Sequence, residues 1–188
     1  MTQSQYLRRG KDFSLLQKRR LEQIEYNKRL VDERAEQLYK VLPDLPKDTK
    51  RIALVSAGFA GRRGKSSYGL AQRLEPFLGD GTFIQPVENF DTDDDIYGRE
   101  PVVGKAKWGL HVGKIMLRHN LMKGYKEDAI EAAAYAQALQ KKAKKQGLKI
   151  PHVEGYGFSA GGYVMQEAAE LSRGKTPFKG VGDRKSVV

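Results

Sequence analysis

Leu148-Lys149-Ile150-Pro151-His152-Val153-Glu154-Gly155-Tyr156-Gly157 runs straight into Phe158-Ser159-Ala160-Gly161-Gly162 and on to Leu171. The first ten residues read as a strand and Ala160 to Leu171 as a helix, so Gly157-Phe158-Ser159-Ala160-Gly161 falls on the turn between them. A strand that turns this sharply into a helix holds the middle residue in a strained backbone conformation and pushes its side chain out beyond the sheet edge. Glycines two residues to either side permit the close approach of the two segments. The serine at the apex is thereby a candidate nucleophile. The Ala160 N–H, at a helix N-terminus, can donate to a developing oxyanion, an interaction worth about 3 to 4 kcal/mol when well placed.

Working outward, the same alternation recurs. Arg51-Ile52-Ala53-Leu54-Val55-Ser56-Ala57-Gly58 is a short apolar run closed by glycine, which suits a buried parallel strand. A loop from Gly58 to Lys65 follows, then a helix from Ser66 to Leu78. Thr82 to Val87 reads as a second strand, which Pro86 restricts to a strand end or a sheet edge. Lys126 to Lys145 is alanine-rich and ends in lysines, as a helix prefers, and Gly147 stops it. Strand, helix and strand in this order predict an α/β fold with a parallel sheet. The polar stretch Asp91 to Lys107 and the mixed one from Trp108 to Met122 predict an inserted cap of loop and short helix.

Before the first strand, Leu21, Ile24, Val31, Ala35, Leu38 and Leu42 trace one stripe of a long amphipathic helix spanning Phe13 to Leu42. Pro43 and Pro46 end it. The chain therefore divides into a helical segment with linker, 1–46, and an α/β domain from 47 to 182. Self-association through the N-terminal helix is the protein contact this arrangement suggests; the basic cluster Arg8, Arg9, Lys18, Arg19 and Arg20 reads as a solvated helix face, with a nucleic-acid or membrane-surface arm as the alternative.

With the serine turn and the earlier strand-loop-helix in hand, the chain resembles the α/β-hydrolase superfamily of serine esterases and lipases. The likeness covers roughly Arg51 to Leu171. Members carry a nucleophile elbow after one strand and an oxyanion loop after an earlier one. Ala57-Gly58-Phe59-Ala60-Gly61 stands where the oxyanion loop belongs and departs from the usual pattern at Ala57, where histidine is common. The resemblance implies Ser159 as nucleophile, the backbone amides of Ala160 and Phe59 as oxyanion donors, and Gly157, Gly161 and Gly58 as the glycines of elbow and loop. It implies a small acyl or ester substrate and no cofactor. In this family the acid and histidine follow the serine. Here His111, His119 and His152 all precede it, and only Glu167, Glu170 and Asp183 follow. A serine without a positioned base is a weak nucleophile, so the chain as it stands is expected to turn over little substrate.

The C-terminus fits that shortfall. Asp183-Arg184-Lys185-Ser186-Val187-Val188 matches a translation of GAT CGG AAG AGC GTC GTG, which is similar to a common sequencing adapter. The expectation is a non-native tail at 183–188 on a truncated gene, interrupting a strand that begins near Phe178.

Other readings have weaker spacing. Gly58 to Ser66 nearly matches a phosphate-binding loop but has five residues between its glycines where four are needed, leaving Arg62, Arg63 and Lys65 as an alternative anion site. Glu88, Asp91, Asp93, Asp94, Asp95 and Glu100 lack the spacing of a calcium loop, and no metal site is expected. A net charge of +11 favours anionic partners, yet aromatic residues are sparse among the basic stretches, which disfavours nucleic acid. The absence of cysteine removes disulfide frameworks, Cys-ligated metals and thiol nucleophiles. No apolar stretch approaches membrane-spanning length and the N-terminus offers no signal-peptide run, so a cytoplasmic protein is expected.

Overall fold

The computed structural model describes residues 3–57, 65–87, 121–150, 152–158 and 160–183. The elements in chain order are α1 (Gln3–Val41), β1 (Arg51–Ser56), α2 (Lys65–Leu78), β2 (Thr82–Pro86), α3 (Leu121–Lys145), β3 (Val153–Gly157), α4 (Ala160–Ser172) and β4 (Phe178–Asp183). The four strands form one parallel sheet in the order β2-β1-β3-β4. This bears out the α/β class, with β2 on an edge and ending at Pro86. The predicted cap as far as position 120, with its acidic residues, His111 and His119, lies outside the described residues; its last two positions, Leu121 and Met122, open α3.

Three boundaries differ by several residues from the sequence reading, one of them the start of α3, which lies at Leu121 and not at Lys126. The strand expected from Leu148 starts only at Val153. The reason is the end of α3: Gly147 turns with φ of +72°, and the Leu148 N–H is spent on the Ala143 carbonyl at 2.9 Å. The N-terminal helix begins earlier than expected, at Gln3, and its stripe is not uniformly buried. Val31, Ala35 and Leu38 are buried, whereas Leu21 is 63% exposed.

The sheet is covered unequally. Ile52, Leu54 and Val153 belong to one hydrophobic cluster with α1, α3 and α4 on one face. Ala53 and Val55, alternating with them, face the other way, where α2 packs against β1 and β2. α3 is the central helix of the thicker side. Ala129, Ala132, Ala133, Ala136 and Ala143 are at most 1% exposed and share its sheet-facing side with Leu139. Along the opposite side, Glu131 and Lys142 reach α1 and its linker. The alanines thus do more than favour helix: they let α3 lie close to neighbours on both sides.

α1 and its linker are fastened over α3 by polar contacts. Arg34 donates to both carboxylate oxygens of Glu131 at 2.6 and 2.8 Å. Lys141 reaches Glu36, and Asp32 accepts from Gln137 and Lys175. The Gln146 amide clamps the Leu45 backbone, accepting from its N–H at 3.0 Å and donating to its carbonyl at 2.9 Å. Tyr39 lies under the ammonium groups of Lys141, Lys142 and Lys145, the nearest 4.5 Å from the ring centre.

On the thinner side, β1 and β3 are locked in register by charge. Arg51 donates to both oxygens of Glu154 at 3.2 and 2.5 Å, and the Tyr156 hydroxyl donates to the same carboxylate at 2.7 Å. Burial pushes the Glu154 carboxyl up, but the hydrogen bonds from Arg51 and Tyr156 outweigh it and hold the group below its ordinary value. A carboxylate depressed on folding contributes stability above its unfolded pKa and loses it as pH falls through the folded value. Glu154→Gln should therefore cost about 1 to 2 kcal/mol at pH 7, a modest sum because Arg51 is half in solvent. The gap to the parent protein should close in urea titrations as pH drops below the ordinary carboxylate range. A gap that persists unchanged at pH 3 would contradict the ionic account.

Candidate functional site

Parallel strands leave their following loops on one edge of the sheet, and ligands of such sheets bind where the strand order reverses. That reversal lies between β1 and β3, because β2 pairs with one side of β1 and β3 with the other. The last paired residues there are Ser56 and Gly157. The loop carrying Gly58 and Phe59 and the turn carrying Ser159 therefore leave from adjacent strand ends.

The turn itself is tightly built. The Phe158 N–H extends the ladder by donating to the Ser56 carbonyl at 3.1 Å, and the Phe158 carbonyl accepts from the Gly161 N–H at 3.0 Å. The chain thus passes from the end of β3 into the first turn of α4 within the span from Phe158 to Gly161. No side chain fits at either flanking glycine. A Cβ on Gly157 would run into the Gly161 carbonyl and the Gly162 nitrogen. One on Gly161 would press on the Ser56 carbonyl, with the Ser56 carbon at 2.7 Å and the Ala57 oxygen at 3.0 Å. The first turn of α4 is consequently wedged against the end of β1. This is the close approach that the glycine spacing predicts.

The residue at which the first loop begins is also fixed. Ala57 is buried, and its N–H donates to Ser67 Oγ at 3.1 Å, tying the end of β1 to the first turn of α2. Helix α2 opens at Lys65, one residue before the predicted start.

Among the predicted site residues, Gly157, Ala160 and Gly161 are brought together at the β3–α4 junction. Ser159, Gly58, Phe59, Arg62 and Arg63 lie outside the described residues, and of Lys65 only the backbone is described. His152 is placed away from this edge. It precedes β3, with Nε2 3.2 Å from Glu154 Oε1, while position 159 follows the strand's other end. The five residues of β3 separate His152 from Phe158, six extended steps or a span of about 20 Å. His152 therefore cannot serve as a base for Ser159.

Sequence reading passed over the aromatic residues around this edge. Phe158 is 56% exposed and Tyr163, in the first turn of α4, is 37% exposed. Tyr68, in the first turn of α2, is 51% exposed. The signal available was their position beside the predicted turns. Among the described residues no group of three or more His, Asp or Glu side chains is arranged to hold a metal, and no helix is long and apolar enough to cross a membrane. No protein family, curated protein or solved structure matches the chain.

Proposed function

We propose that the chain is part of a serine hydrolase of the α/β-hydrolase type, acting on an ester, lipid or related acyl compound, with Ser159 as nucleophile. The observation that carries this reading is the absence of room for any Cβ at Gly157 and Gly161, on either side of the serine, where α4 meets the end of β1. Such a junction is what an exposed, strained nucleophile requires. The sheet order supports it, since β1, after which Phe59 follows in sequence, and β3, after which Ser159 follows, end side by side on the same edge. Exposed Phe158 and Tyr163 offer apolar surface for an acyl group.

In the proposed reaction the Ser159 hydroxyl adds to the ester carbonyl as its proton passes to a histidine. The oxyanion is held by the backbone amides, and the alcohol leaves with the proton. Water then releases the acid from the acyl-serine by the reverse sequence. In the family that the chain resembles, the histidine and its acid follow the serine in chain order; His152 is out of reach.

Covalent labelling tests the reading. The chain extended through the coding sequence that follows Gly182 should take up a fluorophosphonate probe at Ser159. Ser159→Ala should reduce that labelling by at least about a thousandfold. Equal labelling of the two proteins, or an extension without histidine, would sink it. A phosphate ligand at the same edge is the competing reading, supported by the α2 N-terminus that opens there at Lys65.

A further inference from the structure

α1 is longer than the body it packs on. Among the side chains described, which begin at Leu15, the first buried one is Asn27; from Leu15 to Tyr26 the helix is exposed, with only Ile24 half-buried. That is about 18 Å of helix. Leu15 is 49% exposed and Leu16 and Leu21 63%. Leu21 and Ile24 continue the stripe whose lower part, Val31, Ala35 and Leu38, docks on the body. The same arm carries a net positive charge: over the first 26 residues Arg8, Arg9, Lys11, Lys18, Arg19 and Arg20 stand against three acids, Asp12, Glu22 and Glu25, and the bases outnumber the acids most strongly toward its N-terminus.

Its direction follows from the pairings. Arg34 meets Glu131 and Glu36 meets Lys141, so α1 runs parallel to α3. α3 leads into β3 and so runs against the strands. The free part of α1 therefore projects past the carboxyl edge of the sheet, the edge that carries position 159.

We propose that this arm is a membrane-surface anchor, which lays Leu16, Leu21 and Ile24 into the headgroup boundary of an anionic bilayer while its lysines and arginines meet the lipid phosphates. Exposed leucines among basic residues fit that surface, where apolar burial and charge act together. Nucleic acid would use the charges and leave the leucines without a partner. A second copy would set one cationic arm against another. The inference does not depend on the hydrolase reading, though it would bring position 159 toward a lipid substrate.

Sedimentation of the full chain with vesicles tests it. Binding to phosphatidylcholine vesicles containing about one-third phosphatidylglycerol should exceed binding to phosphatidylcholine alone at least about tenfold. Leu16→Ser/Leu21→Ser, which keeps every charge, and Arg19→Glu/Arg20→Glu should each weaken binding about tenfold or more, with melting temperatures unchanged because these side chains are exposed. Equal binding to both vesicle types would overturn the proposal. So would a leucine variant that binds as well as the parent while the charge variant does not, which is the behaviour of a simple polyanion binder. A dimer in light scattering that the leucine variant abolishes, without vesicle binding, would assign the arm to a second copy and overturn it as well.

Discussion

Gly161→Ala is expected to destabilise the protein by about 3 kcal/mol or more. The added methyl would press on the Ser56 and Ala57 carbonyls. Those atoms belong to the buried end of the central strand, so no flexible side chain is available to give way. Relief requires α4 to lift from β1, which would open the junction on which position 159 rests. Gly69→Ala is the matched control. It also sits in a helix, but nothing lies within 4 Å of its would-be Cβ, and it should be neutral or stabilise by up to about 1 kcal/mol. Urea unfolding followed by circular dichroism separates the two. If Gly161→Ala unfolds at the same urea concentration as the parent, the wedge described at the strand end is wrong.

Ala133→Leu should cost a comparable amount, about 2 to 3 kcal/mol. Ala133 is fully buried on the side of α3 that faces the sheet and α4, within a run of equally buried alanines. Leucine there must displace α3 from the sheet or α4 from α3. Lys144→Leu, at an exposed position of the same helix, changes hydrophobicity without that collision and should shift stability by no more than about 0.5 kcal/mol. Equal midpoints for the two variants would mean that the alanines mark helix propensity only.

The legible parts of the fold were those with local signatures. Glycine marked the ends of β1, after an apolar run, and of α3, after a run of lysines, and Pro86 placed β2 at an edge. Gly157 and Gly161 announced a close approach before any coordinate was known, because only a turn without room for Cβ requires that pair. The partners in long-range contacts left no such trace. Nothing in the neighbourhood of Glu154 indicates that Arg51 will reach it across two strands, and nothing near Gln146 points to the Leu45 backbone. The stripe on α1 was visible, yet its periodicity is the same where it is buried at Val31 and where it is bare at Leu21. Periodicity tells which side of a helix is apolar and carries no information on where the body beneath it ends. Histidine counting was similarly blind to direction, since only the strand's orientation puts His152 at the far end from position 159.

The ties between α1 and α3 also set a timetable for synthesis. Arg34 leaves the ribosome 97 residues ahead of Glu131, and Asp32 emerges 143 residues ahead of Lys175. At ordinary elongation speeds the first of those intervals is on the order of 5 to 20 s. For that time the nascent chain displays Val31, Ala35 and Leu38 to water or to whatever chaperone waits at the tunnel exit. The segment made first is therefore among the last to find its seat.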